Sequence, residues 1–214
     1  MTRTALVEIV AGPAAMEGVL ALPPDAIAVV LFAHGSGSGR LSPRNNQVAA
    51  TLRDAGIGTL LLDLLTPDED RDRAQRFDIA LLAERLGLAA AWLGTEPLTA
   101  PLSLGLFGAS TGAGAALRLA ARDGSGIAAV VSRGGRPDLA GEAALAAVIA
   151  PTLLIVGGDD EAVLDLNRQA LAALRCEKEL AIVPGATHLF EEPGKLEEVA
   201  ELARDWFVRH FGAL

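Results

Sequence analysis

A chain of 214 residues is long enough to bury a large core, and 51% hydrophobic content with only 4% aromatics makes that core one of Ala, Leu and Val. The net charge of −9 argues against nucleic acid or an anionic membrane surface as partner. Cys176 is the only cysteine, which excludes an internal disulfide, and no metal-ligand spacing surrounds it. No run approaches transmembrane length, and Met1 to Glu8 lacks a charged stretch followed by an apolar one. The expectation is one cytoplasmic domain over residues 1–214.

In chain order, residues 6–10 and 16–22 read as two short strands joined by the Gly12-Pro13 turn, an opening antiparallel hairpin. Pro23-Pro24-Asp25 breaks the chain. The continuous apolar run 27–33 predicts a strand buried on both faces. It ends in His34-Gly35-Ser36-Gly37-Ser38-Gly39-Arg40, a flexible Gly/Ser loop. Pro43 suits the first turn of a helix, and residues 58–64 the next strand. The mixed charges of 66–76 predict a solvated loop and the start of a helix that continues through Ile79, Leu82, Leu86 and Trp92. Further strands are expected at 102–107, 127–132, 151–156 and 180–183, and helical pieces at 143–148, 162–174 and 195–211. This alternation implies an α/β fold: a mostly parallel sheet of about eight strands flanked by helices, with right-handed crossovers. The short stretch 132–150 leaves no room for a large cap domain.

The run Leu104-Gly105-Leu106-Phe107-Gly108-Ala109-Ser110-Thr111-Gly112 reads as a buried strand turning sharply into an Ala-rich helix. Gly108, Ser110 and Gly112 form G-x-S-x-G, in which glycines make room for a serine on a strained strand-to-helix turn. The bland alternative is a Gly-rich turn with Ser110 as a helix cap.

In an open parallel sheet, functional groups gather at the carboxyl ends of strands. Successive strands deliver His34 with its loop, then Ser110, then Asp159 and Asp160, then His188. A serine, an acid and a histidine thus occur in the chain order of the nucleophile-elbow arrangement. A neutral imidazole takes the serine proton, and the acid holds the imidazole in the right tautomer. The backbone N–H groups of Thr111 and Ser36 are candidates for the oxyanion hole. Either aspartate could instead cap the following helix, and His188 could be an unpartnered loop residue. His34 precedes Ser110 and is expected to shape the loop, with substrate contact as its alternative. Arg133 and Arg136, after the strand beside Ser110, could hold a substrate carboxylate or pair with acids such as Asp138. Arg40 and Arg44 carry the same ambiguity between holding a substrate carboxylate and pairing with an acid, and the first could also be a mobile loop residue and the second a helix-surface one. His210 is expected at the surface of the last helix.

The chain resembles the α/β-hydrolase superfamily and, within it, the dienelactone hydrolase-like proteins, over nearly its whole length. The resemblance rests on His34-Gly35-Ser36-Gly37, Gly108-Ala109-Ser110-Thr111-Gly112, Gly157-Gly158-Asp159-Asp160-Glu161-Ala162-Val163 and Gly185-Ala186-Thr187-His188. It implies Ser110 as nucleophile, His188 as base and, through G-x-x-D-x-x-V, Asp160 as the acid. It implies no cofactor or metal. Dienelactone hydrolases look to have a cysteine nucleophile where this chain has serine, so ester cleavage carries over more readily than dienelactone as substrate. The expectation is a serine hydrolase of small-molecule carboxylic esters or thioesters. The alternatives are a non-catalytic binding protein on the same scaffold, or an acyltransferase.

Overall fold

The computed structural model describes residues 1–212. Its frame is one eight-stranded sheet in the order β1-β2-β4-β3-β5-β6-β7-β8. Strands β1 (Arg3–Ala11) and β2 (Ala14–Leu22) form the antiparallel hairpin, and β2 joins the rest of the sheet antiparallel to β4 (Ile57–Leu62). From β4 through β3 (Ala28–Ala33), β5 (Ser103–Ala109), β6 (Ile127–Arg133), β7 (Thr152–Gly157) and β8 (Lys178–Val183), every pairing is parallel. The mostly parallel sheet is the one the alternation implied, and the whole is the α/β-hydrolase fold that the resemblance implied.

Strands β3, β4 and β7 are buried at every position, because helices cover both sheet faces. On one face lie α1 (Pro43–Asp54) and α7 (Lys195–Phe211), which pack through Val48, Leu52, Trp206 and Phe207. On the other lie α3 (Ile79–Thr95), α4 (Thr111–Ala120), α5 (Glu142–Ala147) and α6 (Glu161–Ala173), led by Leu82, Leu117, Leu145 and Ala170. A short α2 (Arg73–Arg76) precedes α3. Small residues set how closely these layers approach. A Cβ on Gly105 would stand 2.6 Å from Phe211 Cζ, so α7 lies directly across β5 there.

The helix starts follow local chemistry. Ser42 Oγ accepts the Asn45 N–H at the head of α1, with Pro43 behind it, and Asp78 Oδ1 accepts the Leu81 N–H at the head of α3 at 3.0 Å. Residues 66–76 are largely solvent-facing as their charges implied, but they are more ordered than a loop. Thr66 and Glu69 cap each other reciprocally, a 3-10 turn covers Glu69–Arg71, and Arg85 grips Glu69 with Nη1 at 2.8 Å and Nη2 at 2.5 Å. Arg85 comes from α3 and is 6% exposed, so this segment is fastened to the core. A 3-10 turn at Pro137–Ala140 was not foreseen. His210 is not at the surface as expected: it is half-buried and stacks on Trp206, with ring centroids 4.5 Å apart.

Candidate active site

The turn between β5 and α4 is tightly packed. Ser110 has φ 50° and ψ −121°, a left-handed conformation that a side-chain-bearing residue adopts only when its surroundings enforce it. The enforcement is visible. A Cβ on Gly108 would stand 2.5 Å from Ala113 Cα, and one on Gly112 would stand 2.2 Å from Ala33 O and 2.5 Å from His34 O. These are backbone atoms with nowhere to go. The Ser110 N–H donates to Arg133 O at 3.2 Å, and Ser110 O accepts the N–H of Ala113 at 3.1 Å and of Arg136 at 3.0 Å. Although Ser110 occupies the cap position of α4, its hydroxyl makes no capping hydrogen bond. The bland alternative therefore leaves its side chain unused.

Asp160 stands in the same relation to α6: cap position, no capping bond. Its Oδ2 lies 2.7 Å from His188 Nδ1. Asp160 is well covered, with its side chain 15% exposed, and His188 is open to solvent at 38%. Asp159 is exposed and spends its backbone N–H on Ala186 O at 3.0 Å. Geometry thus separates the two aspartates: Asp160 meets the histidine. Among the described residues no hydrogen bond joins Ser110 Oγ to His188 Nε2, a looseness common in unliganded sites.

The turn carrying His188 is held by residues that sequence reasoning passed over. Glu192 Oε1 accepts from Thr187 N at 3.1 Å and Thr187 Oγ1 at 2.5 Å, closing a clamp around His188. The Thr187 hydroxyl, foremost, holds the Glu192 carboxyl below the usual carboxylate range. Phe190 is 1% exposed with φ 57° and plugs the strap into the core. A phenylalanine at positive φ carries no sequence signal. The Thr66–Glu69 capping pair did carry one, in its T-x-x-E spacing.

His34 is 6% exposed, and both ring nitrogens are taken by backbone: Nε2 accepts the Leu64 N–H at 3.0 Å and Nδ1 donates to Gly35 O at 2.9 Å. It fixes the loop and has no polar atom left for substrate. The Ser36 N–H donates to Thr111 Oγ1 at 2.9 Å, whereas the Thr111 N–H, as first residue of α4, has no acceptor within its helix. Arg136 is spent on Asp138 in a two-pronged pair at 2.8 and 2.7 Å, which raises its pKa through that hydrogen bond. This removes it as a substrate contact. Arg40 is not a mobile loop residue: it is tied to Asp63 and, at 2.5 Å, to Glu17. Arg44 is not a plain surface residue either. It is about two-thirds covered and pairs with Glu191 of the His188 strap at 2.9 Å. Arg133 is buried without any partner among the described residues. Burial first, and the like charge of Arg44 second, push its pKa down to about 10.

A cleft of about 240 Å³ opens beside the Gly/Ser loop, lined by His34, Ser38, Gly39, Leu41, Asp63, Leu65, Pro67 and Asp70. A larger one of about 460 Å³, between the Pro137–Ala147 region and α6, is lined by none of the candidate residues.

Residues 16–212 match the model of the dienelactone hydrolase family. The chain belongs to that family. It is 52% identical to a dienelactone hydrolase from Anabaena variabilis of known crystal structure, with 98% of each chain covered and a TM-score of 0.93. Est1E of Butyrivibrio proteoclasticus shares the fold at 15% identity, with 97% and 99% covered and a TM-score of 0.83. Over 204 residues the chain is also 59% identical to a Mycobacterium tuberculosis protein named "Putative phosphoribosyl transferase". That alignment takes in 95% of this chain and 46% of the relative, so the chain spans about half the length of the curated relatives it matches. Membership supports a hydrolase of α/β fold. Among the described residues no helix is long and apolar enough to cross a membrane.

Proposed function

We propose that this chain is a serine hydrolase of carboxylic esters or thioesters that works through an acyl-enzyme. The observation carrying the proposal is the 2.7 Å contact between His188 Nδ1 and Asp160 Oδ2, made by residues delivered to the same sheet edge as a strained, uncapped Ser110. In this reading Ser110 Oγ attacks the carbonyl carbon, and His188 Nε2 takes its proton. Asp160 holds the Nδ1–H tautomer and stabilises the imidazolium. His188 then returns the proton to the leaving alkoxide or thiolate, and water repeats the cycle to release the acid. The Thr111 N–H is the first oxyanion donor. Ser36 becomes the second when the carbonyl oxygen displaces the Thr111 hydroxyl that its N–H now serves.

No residue of the site recommends the transferase name of the longer relatives. We infer that this name belongs to the portion they have and this chain does not align with. The net charge and lone cysteine support a single cytoplasmic domain acting on small molecules without a nucleic-acid or membrane partner.

The test is hydrolysis of short and medium p-nitrophenyl esters by the wild type, Ser110→Ala and His188→Ala, together with labelling by a fluorophosphonate. Turnover and labelling that both vanish in Ser110→Ala are expected. Turnover equal in wild type and Ser110→Ala, with no label on the wild type, would favour a binding protein on the same scaffold.

A further inference from the structure

The sheet has two edges, and they are built differently. β8 is six residues long, opens on the exposed pair Lys178-Glu179 and runs into Pro184. Arg209 of α7 reaches Glu179 at 3.8 Å. Shortness, exposed charge and proline all keep an edge strand from pairing with another chain. β1 is the opposite case. It pairs with β2 over nine consecutive positions without a bulge and holds no proline or lysine. Its Arg3 and Glu8 balance, in a chain of net charge −9.

The hairpin fixes which backbone groups of β1 face outward. Its two-residue turn makes Ala11 and Ala14 a hydrogen-bonded pair, and such pairs alternate with non-bonded ones along an antiparallel ladder. Arg3, Ala5, Val7, Ile9 and Ala11 therefore spend their N–H and C=O groups on β2. Thr4, Leu6, Glu8 and Val10 turn theirs outward, and nothing among the described residues meets them. The Asp63 N–H on Glu17 O fits this phase, because Glu17, opposite Glu8, faces β4 and not β1. The same four side chains share one face of the strand and all are exposed, Leu6 at 83% and Val10 at 71%. On the other face a hollow of about 110 Å³ lies beside the strand, walled by Ala5, Val7, Leu20 and Trp92.

We propose that β1 is a dimer interface: it pairs antiparallel with β1 of a second copy across a two-fold axis at Leu6, joining two eight-stranded sheets into one. Outward groups match only when an even-numbered residue stands opposite an even-numbered one. Leu6 opposite Leu6 meets that condition, sets Thr4 opposite Glu8, and keeps the two Glu8 carboxylates four positions, roughly 13 Å, apart. The next matching register toward the turn sets Leu6 opposite Glu8 and brings the carboxylates to roughly 7 Å, and the one after it sets them face to face. The next register the other way leaves Val10 without a mate. Charge thus selects the axis at Leu6. In that register each Leu6 covers the other, and Ala5 stands opposite Val7 of the second copy, which lengthens the apolar wall beside the hollow. A second copy therefore suits this edge on both faces. One strand pair is small beside the roughly 1,600 Å² of a standard interface, so the dimer dissociates on dilution through the micromolar range. β5 is four places from β1 in the sheet, so this inference does not rest on the hydrolase reading.

The experiment is sedimentation velocity of wild type and Leu6→Lys from micromolar to near-millimolar concentration. Wild type is expected to pass from monomer to dimer, and Leu6→Lys, which sets two cations across the axis, to remain monomeric with an unchanged Tm. Register is read by oxidised glutathione acting on Leu6→Cys and Val10→Cys, each made in Cys176→Ser. Two Leu6 positions facing as a hydrogen-bonded pair have Cα atoms about 5.5 Å apart, within disulfide range. Two Val10 positions stand eight residues, roughly 27 Å, apart. Leu6→Cys is expected to form a disulfide-linked dimer and Val10→Cys is not. A wild type that is monomeric throughout overturns the proposal and leaves the edge to a strand from another protein. A dimer that persists in Leu6→Lys, or a Val10→Cys that cross-links as readily as Leu6→Cys, also overturns it.

Discussion

Ser110 and His188 both follow strands at the carboxyl edge of the sheet but are held there by different physics. At the elbow the contacts are backbone on backbone: Gly108 against Ala113 Cα, Gly112 against the carbonyls of Ala33 and His34, and the Ser110 N–H on Arg133 O. Where the strap begins, backbone also meets backbone, with Gly157 against the carbonyls of Ala186 and Thr187 and the Asp159 N–H on Ala186 O, but from Thr187 to Glu192 most of the fastening runs through side chains: Asp160 on the imidazole, Glu192 on Thr187, Glu191 on Arg44, and Phe190 in the core. A backbone contact has no rotamer with which to yield. A side-chain contact can lose one partner and keep the rest. The elbow should therefore fail all at once, and the strap by degrees.

Substitution at the elbow glycine tests the first half of that contrast with the largest effect. In Gly112→Ala the added methyl meets backbone oxygen at 2.2 Å, so β3 or α4 must move. Loss of soluble folded protein, or a Tm lower by more than 10 °C, roughly a 4 kcal/mol defect, is expected by calorimetry. A Tm within a few degrees of wild type would show that the elbow yields after all. Ser110→Ala changes chemistry and leaves the turn in place. Its turnover of p-nitrophenyl esters is expected to fall by about 10⁶ while its Tm stays near that of wild type.

On the strap, Asp160→Asn keeps the shape and removes the charge that fixes the His188 tautomer, so kcat is expected to fall by about 10⁴. Asp159→Asn, at an exposed residue that makes no contact with His188, is expected to behave as wild type. Glu192→Gln is gentler. Its amide oxygen still accepts from Thr187, so the strap loosens without letting go, and a fall in kcat of about tenfold with KM little changed is expected. A fall as large as that of Asp160→Asn would place Glu192 in the chemistry and remove the distinction between the two halves.

The same contrast decides what the sequence shows. Backbone-on-backbone packing demands particular small residues at fixed spacing, so G-x-S-x-G and the apolar run before it announced both β5 and its turn. The hairpin of β1 and β2 and the strands buried on both faces were legible for the same local reason. Asp160 could be told from Asp159 by the spacing to Val163 that the family resemblance supplies, and the 2.7 Å contact to His188 agrees with that choice. The strap was illegible beyond His188. Glu191 reaches Arg44 across 147 positions, and nothing local to either residue encodes the pair. Arg133 and Arg136 look alike in Ser132-Arg133-Gly134-Gly135-Arg136, yet one is buried without a partner and the other is bound two residues on. Chain direction at the end of β6 separates them, and that depends on the tertiary fold.

A smaller loss of stability than at Gly112 is expected where a side-chain clamp serves the elbow half. His34 takes the Leu64 N–H, and Arg85 holds both Leu64 O, at 3.1 Å, and Glu69. The segment after β4 is thereby pinned along the cleft. The hydrogen bond from Arg85 holds the Glu69 carboxyl below its ordinary value of 4.5. A carboxylate with a depressed folded pKa adds stability that is fully present above its unfolded value and is lost as pH falls through the folded one. Glu69→Gln is therefore expected to cost roughly 1–3 kcal/mol at pH 7, read from urea unfolding, and progressively less as pH drops below 4.5. A difference between wild type and variant that does not change across that range would mean the pair works by shape and not by charge. The clamp would then belong with the backbone contacts of the elbow and not with the strap.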